Sequence, residues 1–496
     1  PAFLSLRGTK LRSNGIHLFP IFTDRKLTHN ISLMKITLYG AASGVTGSSY
    51  HVQTNEANIL IDCGMFQGGK EADKLNLTAP PVDYRKLDSI ILTHAHLDHC
   101  GRLPLAIRAG YSNAIYATPA TIEVASLILR DSHKVYNSDL EKLNRMLQRK
   151  GKKRVKPRYD KEDVEQAILQ MESIPYRQLY MVAPGIRVIA QEAGHILGSV
   201  SLKVIATEDG RDRSVVFSGD LGAAGMPIVN DPEPFTDADM VFMESTYGNR
   251  DHKTLDATLD EARKIIHEAI ESQGKILVPS FAVGRTQDLL YYMDEAFHKE
   301  NLPSFPIYLD SPMAIQATKI YLQHPELYDE ETQVMNLRGQ FRKDLARVHL
   351  TETPDQSKAI NEVIGTCMII AGSGMCTAGR IIHHLRHNLW RPETSVVIVG
   401  YQAHGTLGRQ LVEGADYVNI FGETIAVKAK IYSLGGFSAH AGQSDLLKWF
   451  SAIAPSKPKV ILIHGEDKAR TALAEKLQQQ FGVKAEIPAY GETVQV

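Results

Sequence analysis

The stretch His94-Ala-His96-Leu-Asp98-His99 puts three imidazoles and a carboxylate into six consecutive positions, directly after the apolar run "SIILT". Neutral imidazole nitrogens bind zinc at about 2.0–2.1 Å, and carboxylates are acceptable partners. Without metal, so many titratable groups in one turn have no evident partner. A lone His-x-His is more often structural or exposed; the longer pattern is far more specific. Four ligands from one turn cannot all reach one tetrahedral ion. His94 and His96 are therefore expected at one metal, with Asp98 and His99 at a second.

That division requires ligands from elsewhere in the chain, ideally including a bridging carboxylate. "QEAGHILGS" places His195 in a Gly-flanked turn, "VVFSGDLG" places Asp220 at the end of a buried strand, and "VILIHGED" does the same for His464. Each alone reads most simply as a hydrogen-bonded structural residue or a turn. Together they complete two coordination spheres. Asp62, in "ILIDCGMFQG", also ends a strand and is expected to orient a ligand or the metal-bound water. Cys100 is expected to be a small buried residue.

The elements that must position these residues are legible from periodicity. From Met34 to about Phe66 short strands alternate with Gly-rich turns, and roughly Thr121 to Ile174 shows helical spacing, with Asp160 and Asp163 as an acidic helix start. Strands return at "IRVIAQEAG", "VSLKVIAT", "SVVFSGD" and "MVFMEST". After Glu244 helices alternate with buried apolar strands, the rhythm of a mostly parallel sheet covered by helices, so a separate α/β domain is expected over residues 246–436. The segment 437–496 returns to strand then helix.

A chain of 496 residues suggests two or three cores, and 43% hydrophobic with 22% charged residues is a folded composition. Lys plus Arg (55) nearly cancels Asp plus Glu (56), so net charge decides nothing about a polyanionic partner. A local run, "RKGKKRVKPR" from Arg149 to Arg158, is either a solvated loop or a phosphate-attracting arm. Cys63, Cys100, Cys367 and Cys376 lie far apart, which fits a reducing cytoplasm. No run has the length of a membrane span, and residues 1–33 lack a secretory signal's apolar stretch. Met34 is the expected start of the first domain, with 1–33 an extension of uncertain status.

The order Asp62, His94-x-His96-x-Asp98-His99, His195, Asp220 resembles the motifs of the metallo-β-lactamase superfamily, an αββα sandwich with metals at strand ends. "FMESTYG", "FSAHAGQSD" and "ILIHGE" are similar to motifs A, B and C of its β-CASP nucleases, which include RNase J and the endonuclease subunit of the cleavage and polyadenylation specificity factor. The resemblance implies a metallo-β-lactamase domain over 34–245 and 437–496 with an inserted α/β β-CASP domain over 246–436. It implies two zinc ions per chain: His94, His96 and His195 at one, Asp98, His99 and His464 at the other, with Asp220 bridging. Glu244 and His440 would pair beside them. His464 in motif C is the pattern of the RNA-processing branch. Many relatives carry Asp where this chain has Gly442, which removes one expected support of His440.

The activity so implied is hydrolysis of RNA phosphodiesters by a hydroxide shared between two metals, whose pKa falls from 15.7 to about 7. His440 is the nominated general acid, with Glu244 holding its ring, and a 5′-phosphate and a 3′-hydroxyl are the expected products. Endonuclease and 5′-exonuclease modes both remain open. Ser373, Gly374 and Met375, in a Gly-rich strand-to-helix turn, align with a phosphate-holding turn of the family. Arg285, His404 and Arg409 are further phosphate or lid candidates, or equally interdomain polar residues. His383, His384 and His387 are expected on a solvated or interface helix. The expected partners are RNA and a second copy of the chain, with no membrane. Two alternatives stand: a hydrolase of small esters or thioesters in the same superfamily, and a non-catalytic RNA-binding subunit.

Overall fold

Along Ile186–Glu192 the residues Ile186, Val188 and Ala190 are buried and those between them half-buried, the two-residue period of a strand with one face on a core. Asn58–Ile61 and Met240–Glu244 are instead almost continuously apolar and buried, as strands covered on both faces must be. These patterns assemble, in a computed structural model that describes residues 34–208, 210–300, 305–337 and 348–496, into two seven-stranded sheets and a third of six. The extension 1–33 lies outside the described residues.

The first sheet runs, edge to edge, Thr493–Gln495, Lys35–Leu38, Tyr50–Gln53, Asn58–Ile61, Ser89–Ile91, Ile115–Ala117 and Met171–Ser173. The second runs Ala485–Glu486, Lys459–Ile463, Met240–Glu244, Arg211–Phe217, Val200–Glu208, Ile186–Glu192 and Tyr180–Ala183. Their inner faces meet through Ile36, Val52, Ile59 and Ile61 on one side and Val188, Leu202, Val204, Phe217 and Phe242 on the other. Phe217 and Phe242 stack with centroids 4.8 Å apart. Helices Gln443–Ile453 and Asp467–Phe481 cover the second sheet's outer face with Leu446, Phe450, Leu473 and Leu477. Helices Pro119–Arg149 and Lys161–Leu169 cover the first with Val124, Ile128, Leu129 and Val164. The layers are helix, sheet, sheet, helix: an αββα sandwich.

Both outer helices of the first layer start where their sequences say they should. Thr118 accepts the Thr121 N–H ahead of Pro119, and Asp160 and Asp163 cap each other's backbone reciprocally, so the acidic start is a capping box. The third sheet is inserted in sequence before Gln443–Ile453 and orders Val348–Leu350, Ile307–Leu309, Cys367–Ala371, Lys275–Pro279, Ser395–Ile398 and Lys430–Ser433, every pair parallel. Its central strands are buried throughout, the pattern expected of a helix-covered parallel sheet.

Parallel pairing also explains why distant residues converge. Asn58–Ile61 runs parallel to Ser89–Ile91, and Arg211–Phe217, Met240–Glu244 and Lys459–Ile463 run parallel to one another. Their C-terminal ends carry or lead directly into Asp62, His94, Asp220, Glu244 and His464.

The helix Ile381–Asn388, expected to be solvated or at an interface, is both. His383 and His387 are exposed, but His384 is buried, with its Nε2–H donating to Asp310 Oδ2 at 2.7 Å. The fully buried Asp310 carboxylate also accepts from Arg380 Nη1 at 2.6 Å, Thr351 at 2.5 Å and Ser357 at 2.6 Å. Burial would raise this carboxyl, but the bonds from His384, Ser357, Thr351 and Arg380 hold it far below its ordinary range. Asp310 thus ties four segments of the inserted domain together. Replacing Asp310 by Ala is expected to cost about 3 kcal/mol, because it leaves a guanidinium and an imidazole without their anion. Denaturant titration checks this; an unchanged midpoint would contradict it.

Candidate metal centre

The two oxygens of one buried carboxylate face two groups of side chains. Asp220 Oδ2 lies 3.5 Å from His94 Nε2 and 3.7 Å from His195 Nε2. His96 Nδ1 stands 3.1 Å from each of those nitrogens. Asp220 Oδ1 lies 3.4 Å from His99 Nε2 and 3.5 Å from His464 Nδ1, and His464 Nε2 is 3.6 Å from Asp98 Oδ2. His94, His96, His195 and Asp220 thus form one candidate ligand group and Asp98, His99, Asp220 and His464 a second, while His464 also lies within reach of Glu244 and His440 in a third. All seven residues expected from the sequence come together, in the expected division.

Ligand atoms about 2.0–2.1 Å from a tetrahedral zinc stand about 3.3 Å from one another, and the separations above bracket that value. Two of them, Asp220 Oδ1 and His464 Nε2, are buried with no hydrogen-bond partner among the described residues. Burial pushes the imidazoles of His94 and His195 well below their ordinary pKa and that of His96 down to about 4, so all three are neutral near pH 7, as a cation requires. Burial would raise Asp220, yet His464 and His99 hold it well below the carboxylate range. Imidazoles crowded at hydrogen-bond distance with lone pairs converging, around an ionised carboxylate, fit a metal better than they fit one another.

A second ring of contacts fixes which nitrogen each imidazole presents. Asp62 Oδ2 accepts from His99 Nδ1 at 2.7 Å and from the Thr93 hydroxyl at 2.9 Å, and Asp62 Oδ1 accepts the Thr93 N–H at 2.8 Å. Asp62 therefore orients His99 rather than facing the pocket. The Ala439 carbonyl accepts His195 Nδ1–H at 3.1 Å. Asp62 (φ 58°) and His464 (φ 49°) both hold left-handed backbone, a strained state that tends to persist where surrounding structure enforces it. Two glycines allow the ligand loops to touch. A Cβ at Gly64 would lie 1.6 Å from the Asp98 carbonyl oxygen, and one at Gly222 would lie 1.8 Å from that of Gly194.

Beside the groups, Glu244 Oε1 accepts the Leu221 N–H at 2.6 Å and His440 Nδ1–H at 3.2 Å, leaving His440 Nε2 4.0 Å from Asp220 Oδ2. Burial opposes protonation of His440, but Glu244, Asp220 and Asp98 outweigh it and raise its pKa. The support expected to be lost at Gly442 comes from elsewhere. His252 Nε2–H donates to the His440 carbonyl at 2.9 Å, and Asp251 accepts Ser444 N–H and O–H at 2.7 and 2.8 Å. A side chain at 442 would meet Asp251 Oδ1 at 2.9 Å. His252 and Asp251 were not singled out from the sequence; the polar run "NRDH" right after "ESTYG" is the signal that marks them.

A cavity of about 140 Å³ opens onto both ligand groups and His440, with Phe281, Arg285, Met313, Met375 and Tyr401 of the inserted region on its far side. Arg285 is buried, pairs with Asp288 at 3.0 Å and has Nη2 unpartnered. Of the phosphate candidates, Arg285 and Met375 line the cavity. Ser373 Oγ accepts Thr377 and Ala378 N–H within its own turn, and the Gly374 carbonyl accepts from Gln402. His404 is exposed, with its carbonyl against Gly68. Arg409 is held by Glu413 at 2.6 Å and lies 3.9 Å from Glu466. None of these four is on the cavity lining.

Comparison with known proteins agrees with this geometry. The metallo-beta-lactamase superfamily matches residues 42–152, the Beta-Casp domain 286–411, and the Zn-dependent metallo-hydrolase RNA specificity domain 424–488. The chain is 37% identical to Ribonuclease TTHA0252 of Thermus thermophilus over 463 residues, covering 93% of this chain and 100% of that one. The chain belongs to the β-CASP family of the metallo-β-lactamase superfamily. Among other β-CASP relatives, Transcription termination factor FttA of Methanocaldococcus jannaschii is 28% identical over 93% of this chain and 72% of its own. An RNase J-like protein of the same organism is 28% identical over 92% of this chain and 99% of its own. The cofactor of this β-CASP chain is accordingly metal, and the His and Asp groups described are ones that could hold it.

Because Asp220 faces both groups, Asp220→Asn is expected to lower metal binding at both, whereas Asp98→Asn should lower it at one. Metal analysis after equilibrium dialysis separates them; equal retention in the two variants would contradict the shared carboxylate.

Proposed function

We propose that this β-CASP protein is a two-zinc ribonuclease acting in RNA processing or decay. One zinc would be held by His94, His96 and His195, the other by Asp98, His99 and His464, with Asp220 shared. What carries the reading is the division of a single carboxylate between two imidazole groups, with His440, paired to Glu244 behind it, on the same cavity wall and its Nε2 4.0 Å from that carboxylate. The kinship with Ribonuclease TTHA0252 over its full length supports RNA as the substrate.

When bound there, two zinc ions supply Lewis acidity, which lowers the pKa of water from 15.7 to about 7 and offsets charge on phosphate oxygens. The chain's own groups do the rest. His440 donates Nδ1–H to Glu244 and directs Nε2 into the cavity, and the Glu244 carboxylate raises its pKa against the effect of burial, which favours the protonated ring. It is placed to protonate the leaving 3′-oxygen as general acid, which leaves a 5′-phosphate on the other product. Asp62 fixes the ring of His99, and the Ala439 carbonyl fixes that of His195. Arg285, a lining residue with one N–H group left without a partner among the described residues, is the cation nearest to hand for a substrate phosphate. The enclosing walls come from residues 34–245 and 437–496 on one side and 246–436 on the other, which we take as the two domains.

His440→Ala should lower the rate on RNA by about 10²–10⁴ while retaining zinc. His464→Ala should lose part of its zinc and all cleavage, with an unchanged circular dichroism spectrum. The check is zinc content together with gel mapping of products from 5′-labelled and 3′-labelled RNA. Ester turnover without RNA cleavage by the zinc-loaded wild type would overturn the proposal, as would full activity in the His464 variant.

A further inference from the structure

Seven of the ten residues from Arg149 to Arg158 are Lys or Arg and none is acidic, in a chain whose formal net charge is −1. Like charges this close repel, and a fold ordinarily relieves them with carboxylates. Here Arg149, Lys150, Lys152, Lys153, Arg154 and Lys156 are all exposed, and none has an acidic partner among the described residues. Among the described residues, no ion pair uses these six cations.

The segment that carries them is nonetheless held firmly. The buried Asn144 clamps Val155 on both sides, accepting its N–H at 2.7 Å and donating to its carbonyl at 3.0 Å. Gly151, at φ 67°, turns the chain out of the long helix, and Lys152 N–H returns to the Leu147 carbonyl at 2.9 Å. At the far end Arg158 N–H donates to the Tyr136 hydroxyl at 2.8 Å. A fixed display of charge lowers the ordering cost of binding a flexible polyanion.

The same segment is anchored to the cavity wall. Arg158 Nη1 donates to the Asn76 carbonyl at 3.1 Å. The Asn76 side chain accepts the Phe66 N–H at 2.8 Å and donates to the Phe66 carbonyl at 2.7 Å. The next residue, Gln67, lines the cavity and takes a bond from its backbone N–H to Thr46, another lining residue, at 3.1 Å. A cavity of about 140 Å³ encloses only a small part of a nucleic-acid chain, so most of a long substrate must be held outside it.

We propose that residues 149–158 form an RNA-backbone-binding arm, a clamped row of cations with no acidic partner among the described residues, which starts at the end of the long helix about 30 Å along from the cavity-lining Ile128 and holds the phosphates of single-stranded RNA well beyond the point of cleavage. This rests on the ribonuclease reading and adds a binding site outside the metal centre. The connection to the cavity wall favours RNA over a membrane surface or an acidic protein.

The test uses the full chain with His440→Ala, so that RNA survives the measurement, with and without Lys152→Gln, Lys153→Gln, Arg154→Gln and Lys156→Gln together. Fluorescence anisotropy gives Kd for a labelled RNA of about 24 nucleotides and one of about 4 between about 50 and 200 mM salt. Removing four cations should weaken the long RNA about tenfold or more at low salt and flatten its log–log salt slope by about 3, at about 0.7 per phosphate contact. The advantage of the long RNA over the short one should shrink accordingly. An unchanged slope for the long RNA would overturn the arm, and so would an equal loss for both lengths. Loss of binding to phosphatidylserine vesicles with an unchanged RNA slope would overturn it in favour of a membrane surface. Cleavage by the zinc-loaded wild type tests the ribonuclease reading separately, so the two can fail independently.

Discussion

Converging imidazole lone pairs in a dry pocket are the constraint around which this protein is built. His94, His96 and His195 are desolvated to the point of neutrality and stand about one ligand-to-ligand distance apart, around a carboxylate that stays ionised. In the low dielectric of the interior an uncompensated carboxylate is costly, and so are buried nitrogens with no donor. Metal cations bound on either side of Asp220, as proposed, would resolve both costs. The relation also runs the other way: groups that a metal would satisfy have to be held against their mutual preference for water, and the rest of the fold supplies that hold.

The support is distributed over chain segments hundreds of residues apart. Parallel pairing brings the C-terminal ends of Arg211–Phe217, Met240–Glu244 and Lys459–Ile463 to one edge, across from the ends of Asn58–Ile61 and Ser89–Ile91. Close backbone contact at Gly64 and Gly222 then lets ligand-bearing loops approach to distances that any side chain would forbid. The strained backbone at Asp62 and His464 lies on the same edge, where the surrounding hydrogen bonds enforce it. The inserted parallel sheet closes the far side of the cavity and is stiffened by the Asp310 network, so the wall facing the metals is itself a packed surface.

Much of this was legible in the sequence because it is local. Spacing within "HAHLDH" and the recurrence of His or Asp at the ends of apolar runs place the seven candidate ligands without tertiary information, and the change of rhythm after Glu244 marks the inserted sheet. Where the reading fell short, the deciding partner is remote. Nothing near Arg409 shows that Glu466 joins Glu413 beside it, and nothing near Ser373 shows its hydroxyl turned into its own loop. His384 looks no different from His383 until Asp310 is seen beneath it. The loss at Gly442 reads as a weakened His440 only if Asp251 and His252 are ignored, and their approach depends on a bridge between Tyr247 and Gly442.

The proposed chemistry depends on two metal ions, one on each side of Asp220. Anomalous diffraction at the zinc edge, on crystals of the zinc-loaded protein, measures that directly. Two peaks about 3.5–4 Å apart, one on each side of the Asp220 carboxylate, are the predicted result. A single peak, or zinc bound anywhere but between these side chains, would contradict it.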